Sequence, residues 1–222
     1  MRFSIRTLFK NIIGFLLLPI TIICVISFFS VLITIKWHLY PTYLFIIGFI
    51  VYFFLYVLNK NKSFSYVLGH EISHAIISLL FGGKLLSIFV SHKNGSVSTT
   101  KDNFIISLIP YCIPFYAVVL SIIYYVLSIF INTRPLLPLF IFLLGISLSH
   151  HCMLTIHYIN IGQHDIFSQG SLFSFSIILL LNAITITIIM GFFLKQVPIV
   201  SFWQKIIESL KILFSELKSY NY

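Results

Sequence analysis

At 222 residues the chain has the length of one ordinary domain, but 59% of its residues are hydrophobic, 9% are charged, and its mean hydropathy is +1.05. Those proportions lie outside the range of soluble globular domains and define a membrane protein. A formal net charge of +9 raises nucleic acid as a partner, yet the Lys and Arg residues sit in short clusters between apolar segments, a distribution that membrane topology explains better than a nucleic-acid-binding face.

A hydrocarbon core of about 30 Å needs about 20 apolar residues in a helix. On that rule the sequence predicts six spans, at roughly 12–35, 41–58, 64–83, 104–131, 136–158 and 171–194. The opening MRFSIRTLFK followed by an apolar run looks like a secretory signal, but the run is too long and no small-residue cleavage pattern ends it, so the first span is expected to stay uncleaved. Pro19 is expected to bend it, and Trp37 sits where an interfacial aromatic belongs.

The third segment carries GHEISHA, residues 69–75. Only five acidic residues occur in the chain: Glu71, Asp102, Asp165, Glu208 and Glu216. A glutamate near the centre of a span costs roughly 2.5–3.5 kcal/mol on insertion scales, so Glu71 asks for a functional reason. Residues four apart lie on one face of a helix, so His70 and His74 can offer two imidazole nitrogens to one metal ion, with Glu71 beside them. Zinc held by such an HExxH arrangement acidifies water, and the carboxylate can take the proton and pass it to a leaving amine. One zinc ion per chain is the cofactor this predicts.

The next stretch, KLLSIFVSHKNGSVSTT (84–100), is rich in β-formers around Asn94-Gly95 and predicts a short hairpin turning at that pair. A free strand edge there could hold a peptide extended by adding it as another strand. In the fourth segment, IPYCIPF (109–115) places Pro110 and Pro114 where they could shape an entry gap.

A catalytic zinc usually takes three protein ligands. Asp102 falls in the polar hairpin region, and Glu208 and Glu216 fall on a surface helix, which leaves Asp165 in NIGQHDIFSQG (160–170). Spans three and five run in the same direction, so the end of the His74 helix and the segment after span five approach the same side of the membrane. Gly162 and Gly170 permit an irregular path that dips inward along a protein cavity. His150, His151, His157 and His164 form a second cluster of alternative ligands, His164 the nearest; for each of the others a packing or outer-donor role is the main expectation, and His38 and His92 lie away from the cluster. Asn160 and Gln163 are the nearby amides able to donate to an oxyanion.

After the last span, Trp203, Ile206, Ile207, Leu210, Leu213, Phe214 and Leu217 recur at helical spacing, with Lys205, Glu208, Lys211, Glu216 and Lys218 largely opposite. This predicts an amphipathic helix on the membrane surface. The organisation expected is a transmembrane domain at 1–200, with its core at 64–175, and a surface helix at 201–222. Cys24, Cys112 and Cys152 lack metal-like spacing and are expected as small buried hydrophobes.

HEISHA on an apolar helix, a hairpin after it, a proline-containing span and a distant Asp near a later span together resemble the site-2 protease family of intramembrane zinc metalloproteases, over about residues 64–175. The fold expected from the residues is an all-α polytopic membrane protein of about six transmembrane helices, with a short β-hairpin after the HExxH helix and a C-terminal amphipathic interfacial helix. The resemblance implies His70, His74 and Asp165 as zinc ligands and Glu71 as general base and acid. A membrane protein or peptide is the implied substrate, and the lipid bilayer of a bacterial cell membrane the implied surroundings. The Asn-x-x-Pro and Asp-Gly pattern around that family's third ligand is absent here, Asp165 being followed by Ile166. Orientation is contested: Arg2, Arg6, Lys10, Lys60, Lys62, Arg134 and the C-terminal lysines fall on one side and Lys36, Lys84, Lys93 and Lys101 on the other, which puts both termini in the cytosol and the zinc side outside. The resemblance implies a site nearer the cytosol.

Two other readings remain open at this level. His70, His74, His150, His151 and His157 loosely resemble the histidine boxes of membrane di-iron oxidases such as desaturases, although Glu71 has no special use in that chemistry. A non-enzymatic metal transporter would also line a path with intramembrane His and Asp.

Overall fold

A computed structural model describes residues 5–58, 64–91, 94–194 and 199–219. In chain order the elements are α1 (Ile5–Thr34), α2 (Thr42–Leu58), α3 (Phe64–Leu80), β1 (Leu85–Val90), β2 (Gly95–Thr99), α4 (Phe104–Cys112), α5 (Phe115–Phe130), α6 (Leu137–Asn160), α7 (His164–Ser168), α8 (Ser171–Phe193) and α9 (Ile199–Ser219), with a single 3-10 turn at Arg134–Leu136 before α6. They form two compact units, Met1–Lys36 with Gly170–Tyr222, and Trp37–Gln169. Arg2, Lys60, Lys62, Lys93 and Lys195 of the charge pattern lie outside the described residues, as does His92; the side chains of Phe214, Leu217 and Lys218 do too.

In the first unit α1 packs along α8. With little water to serve them, polar groups in such a pair bond across the helices: Ser176 Oγ donates to the Gly14 carbonyl at 3.1 Å, and Thr21 Oγ1 lies 3.3 Å from the Ser176 carbonyl. Phe202 and Ile206 on α9 are buried, while Trp203 and Ile207 on the same helix are exposed, so α9 is two-faced.

In the second unit α2 crosses α6 where two glycines meet: a Cβ on Gly48 would strike the Phe142 carbonyl, and one on Gly145 the Phe45 carbonyl. Small residues at a crossing let helix backbones approach closely. α3 packs on α4 and on both strands, which pair antiparallel with Ile88 opposite Val97 and Val90 opposite Gly95. β1 is exposed along most of its length, whereas the side chains of β2 alternate between exposed and half-buried, so β2 is the strand that closes over α3.

Three helical stretches are long and apolar enough to cross a membrane: Ile5–Thr34, Arg134–Asn160 and Ser171–Phe193. The expected fourth span is not one helix. α4 and α5 are bent by 74°, because the residue before a proline is driven out of helical conformation; Ile113, before Pro114, is extended at φ −117°, ψ 123°. The pair passes the length and composition criteria only when its two helices are taken together, while α2 has 17 residues and α3 also has 17, about 26 Å at 1.5 Å per residue. Six full-length spans are therefore not what the described residues give by length and composition.

Candidate metal centre

α3 has no intrinsic claim on two histidines and a glutamate; what it supplies is spacing. His70 and His74 stand one turn apart, and their Nε2 atoms converge to 3.1 Å. Opposite them, Asp165 Oδ2 lies 3.6 Å from each Nε2. Donors about 2.0–2.1 Å from a tetrahedral zinc stand roughly 3.3 Å from one another, so the three edges of this triangle are of the size that one such ion would need. Among the described residues, His70, His74 and Asp165 form the one group of three able to hold a metal ion.

The chain reaches this arrangement through the end of α6. Gly162 has φ +78°, and its N–H bonds the Ile159 carbonyl at 3.2 Å while Gln163 N–H reaches the Tyr158 carbonyl at 3.4 Å. That is a Schellman ending, which needs a left-handed residue and takes glycine. It stops α6 and turns the chain into α7, whose first turn carries Asp165. Burial by itself would raise the Asp165 pKa, but the His70 and His74 rings beside it outweigh this and hold the carboxyl well below the usual carboxylate range. The group is an anionic oxygen donor at neutral pH.

The two imidazoles are oriented by different means. The Nδ1–H of His74 donates to the Ile106 carbonyl on α4 at 2.8 Å, which leaves the Nε2 lone pair for the centre. His70 is held by rings, edge-on to Tyr111 with centroids 5.1 Å apart and tilted against Tyr66 at 5.5 Å. Tyr66 in turn stacks on Tyr158 of α6 at 4.2 Å.

Glu71 is buried and lies against the start of β2. A Cβ on Gly95 would come within 2.6 Å of both Glu71 Cγ and Oε1, so the strand can pass the carboxylate this closely only with glycine there. This corrects the expected turn. Asn94 closes it, its carbonyl accepting from Ser91 N–H at 2.9 Å and from Ser91 Oγ at 2.7 Å, and Gly95 is the first residue of β2. A cavity of about 650 Å³ is bounded by β2 on one side and by His70, Glu71, His74 and Asp165 on the other.

Gln163 and His164 also line that cavity, as does Asp102, whose Oδ1 accepts from Ser107 Oγ at 3.3 Å. His164 is exposed and outside the three-donor group, and Asn160 is exposed and does not line the cavity. His150 lies apart from the centre: its Nε2 is 3.0 Å from Ser65 Oγ, and its ring packs edge-on to Tyr52 and Tyr116. The sequence reading missed the Ile106 carbonyl, Gly95 and the two tyrosines. Tyr66 could have been found four residues before His70 on the same face; a backbone carbonyl carries no residue-type signal.

Comparisons with protein-family models, curated proteins and solved structures returned no significant match.

Proposed function

We propose that this chain is a multi-pass membrane zinc peptidase, similar to site-2 proteases, that hydrolyses peptide bonds of membrane-embedded or membrane-adjacent proteins. The observation that carries the reading is the convergence of His70, His74 and Asp165 beside Glu71 in a cavity walled by one strand. Two imidazoles and a carboxylate make a borderline-soft donor set of the kind zinc takes in hydrolytic sites, with a position left for water.

Zinc held there supplies Lewis-acid activation of water at neutral pH. Glu71 would accept the proton from the attacking water and return it to the leaving amine, a role that suits a buried carboxylate on the wall of the same cavity. The substrate segment lies extended along β2, its backbone adding to the strand edge so that successive carbonyls pass the centre. Gln163 lines the cavity, and its amide is the donor this reading assigns to the developing oxyanion. Among the described residues one group of three donors is found, which supports a one-metal hydrolase over a di-iron oxidase with its larger set of imidazoles.

Glu71→Gln tests the chemistry apart from the metal. The variant is expected to bind zinc within about threefold of the unaltered protein and to lose cleavage of a reporter membrane peptide by more than about 100-fold. Undiminished cleavage contradicts the mechanism, and a protein that binds and releases metal without cleaving any reporter points to a transporter.

A further inference from the structure

α4 contains Pro110, four residues after Ile106. In an α-helix the carbonyl of residue 106 would bond the N–H of residue 110. Proline has no N–H, and its ring presses on that same carbonyl. The acceptor is thereby withdrawn from the ladder of its own helix, and it is the one that His74 Nδ1 meets at 2.8 Å.

The other side of Ile106 is fixed as well. Its N–H donates to Asn103 Oδ1 at 2.9 Å, Asn103 being the N-cap of α4. Both backbone groups of this residue therefore bond outside the regular ladder, one to the cap and one to a candidate metal ligand. Pro110 does not produce the break in the α4–α5 pair. The helix runs through it to Cys112, and the chain leaves helical conformation at Ile113, ahead of Pro114. The two prolines have separate consequences, and bending accounts for only one of them.

We propose that Pro110 is a positioning residue of the metal centre: it withholds the backbone N–H that would otherwise occupy the Ile106 carbonyl, and so reserves that acceptor for His74. The ring is thereby held in the Nδ1–H tautomer, its Nε2 lone pair turned toward His70 and Asp165. The consequence for zinc rests on the metal-centre reading above; the consequence for the tautomer does not.

The test replaces Pro110 in the full-length protein by alanine and, separately, by lactic acid, the α-hydroxy analogue of alanine. The two variants share a side chain and differ in that the ester has no N–H. The His74 ring is read by ¹⁵N NMR in metal-free protein, and zinc affinity by competition with a chromophoric chelator. Pro110→Ala is expected to populate the Nε2–H tautomer of His74 and to weaken zinc binding about tenfold or more, while the ester variant keeps the original tautomer and stays within about threefold. Alanine and ester variants that behave alike, or an alanine variant with unchanged tautomer and affinity, would overturn the proposal. Should Pro110→Ala fail to fold, the ester variant decides: loss of the Nδ1–H tautomer in it overturns the assignment, and retention supports it. Should the unaltered protein take up no zinc, the metal reading fails and the tautomer comparison judges Pro110 by itself.

Discussion

Glu71 and Gly95 act as one unit although 24 positions separate them. The carboxylate occupies the space where a side chain at 95 would stand: a Cβ there would lie 2.6 Å from Glu71 Oε1. Gly95→Ala must displace Glu71, and a shift of about 1 Å in a catalytic group costs on the order of 100-fold in rate. Reporter cleavage is expected to fall by that order while zinc affinity, measured by chelator competition, stays within about threefold, since Glu71 is not in the group of three donors. Cleavage at the original rate would show that Glu71 is not poised by the strand. At this scale the sequence was informative wherever chemistry follows from spacing. His70 and His74, four apart, were expected on one face and do converge with Asp165 in a group that could hold a metal ion; Glu71 drew notice through the cost of a charge in an apolar helix. Asp165 emerged because so few acids were available to choose from. Gly95 did not, because Asn-Gly is a common turn pair and the need for a hydrogen at 95 arises from a side chain on another element.

The short helix α7 holds Asp165, and what aims α7 is the ending of α6. Gly162→Ala forces a Cβ into a left-handed conformation at about 1–2 kcal/mol, a cost the chain relieves by unwinding the Schellman turn. The variant is expected to unfold at a lower temperature by circular dichroism in detergent and also to bind zinc more weakly. A loss of stability with no loss of zinc affinity would mean that α7 finds its place without the turn. Elements were partly legible. The strand pair showed in the β-formers of 84–100, and Gly162 and Gly170 were read as allowing an inward path. The 74° break inside the segment expected at 104–131 did not show, because hydropathy is blind to backbone geometry: the composition is uniformly apolar, and Pro114 drives Ile113 out of helical conformation. The same blindness hid the link between Pro110 and Ile106.

At the scale of the molecule, hydropathy and charge identify a membrane protein, and among the described residues three helices meet the length and composition needed to cross a bilayer, or four if the bent α4–α5 pair is one span. The protein is expected to stay with the membrane pellet through alkaline carbonate washing and to leave it only in detergent; release by carbonate would contradict membrane integration. Six segments looked alike in hydropathy, and the structure separates them by length and continuity, properties that a sliding count of apolar residues averages away. The distribution of the five acids was the more telling global signal. Three of them, Glu71, Asp102 and Asp165, line one cavity in a chain of net charge +9. The central claim is that the cavity holds a single divalent ion on two imidazoles and one carboxylate, and elemental analysis of purified protein tests it most directly. Close to one zinc per chain is expected in the unaltered protein and in His164→Ala, and almost none in Asp165→Ala. A full complement of zinc in Asp165→Ala, or none in the unaltered chain after purification without chelators, would contradict that claim.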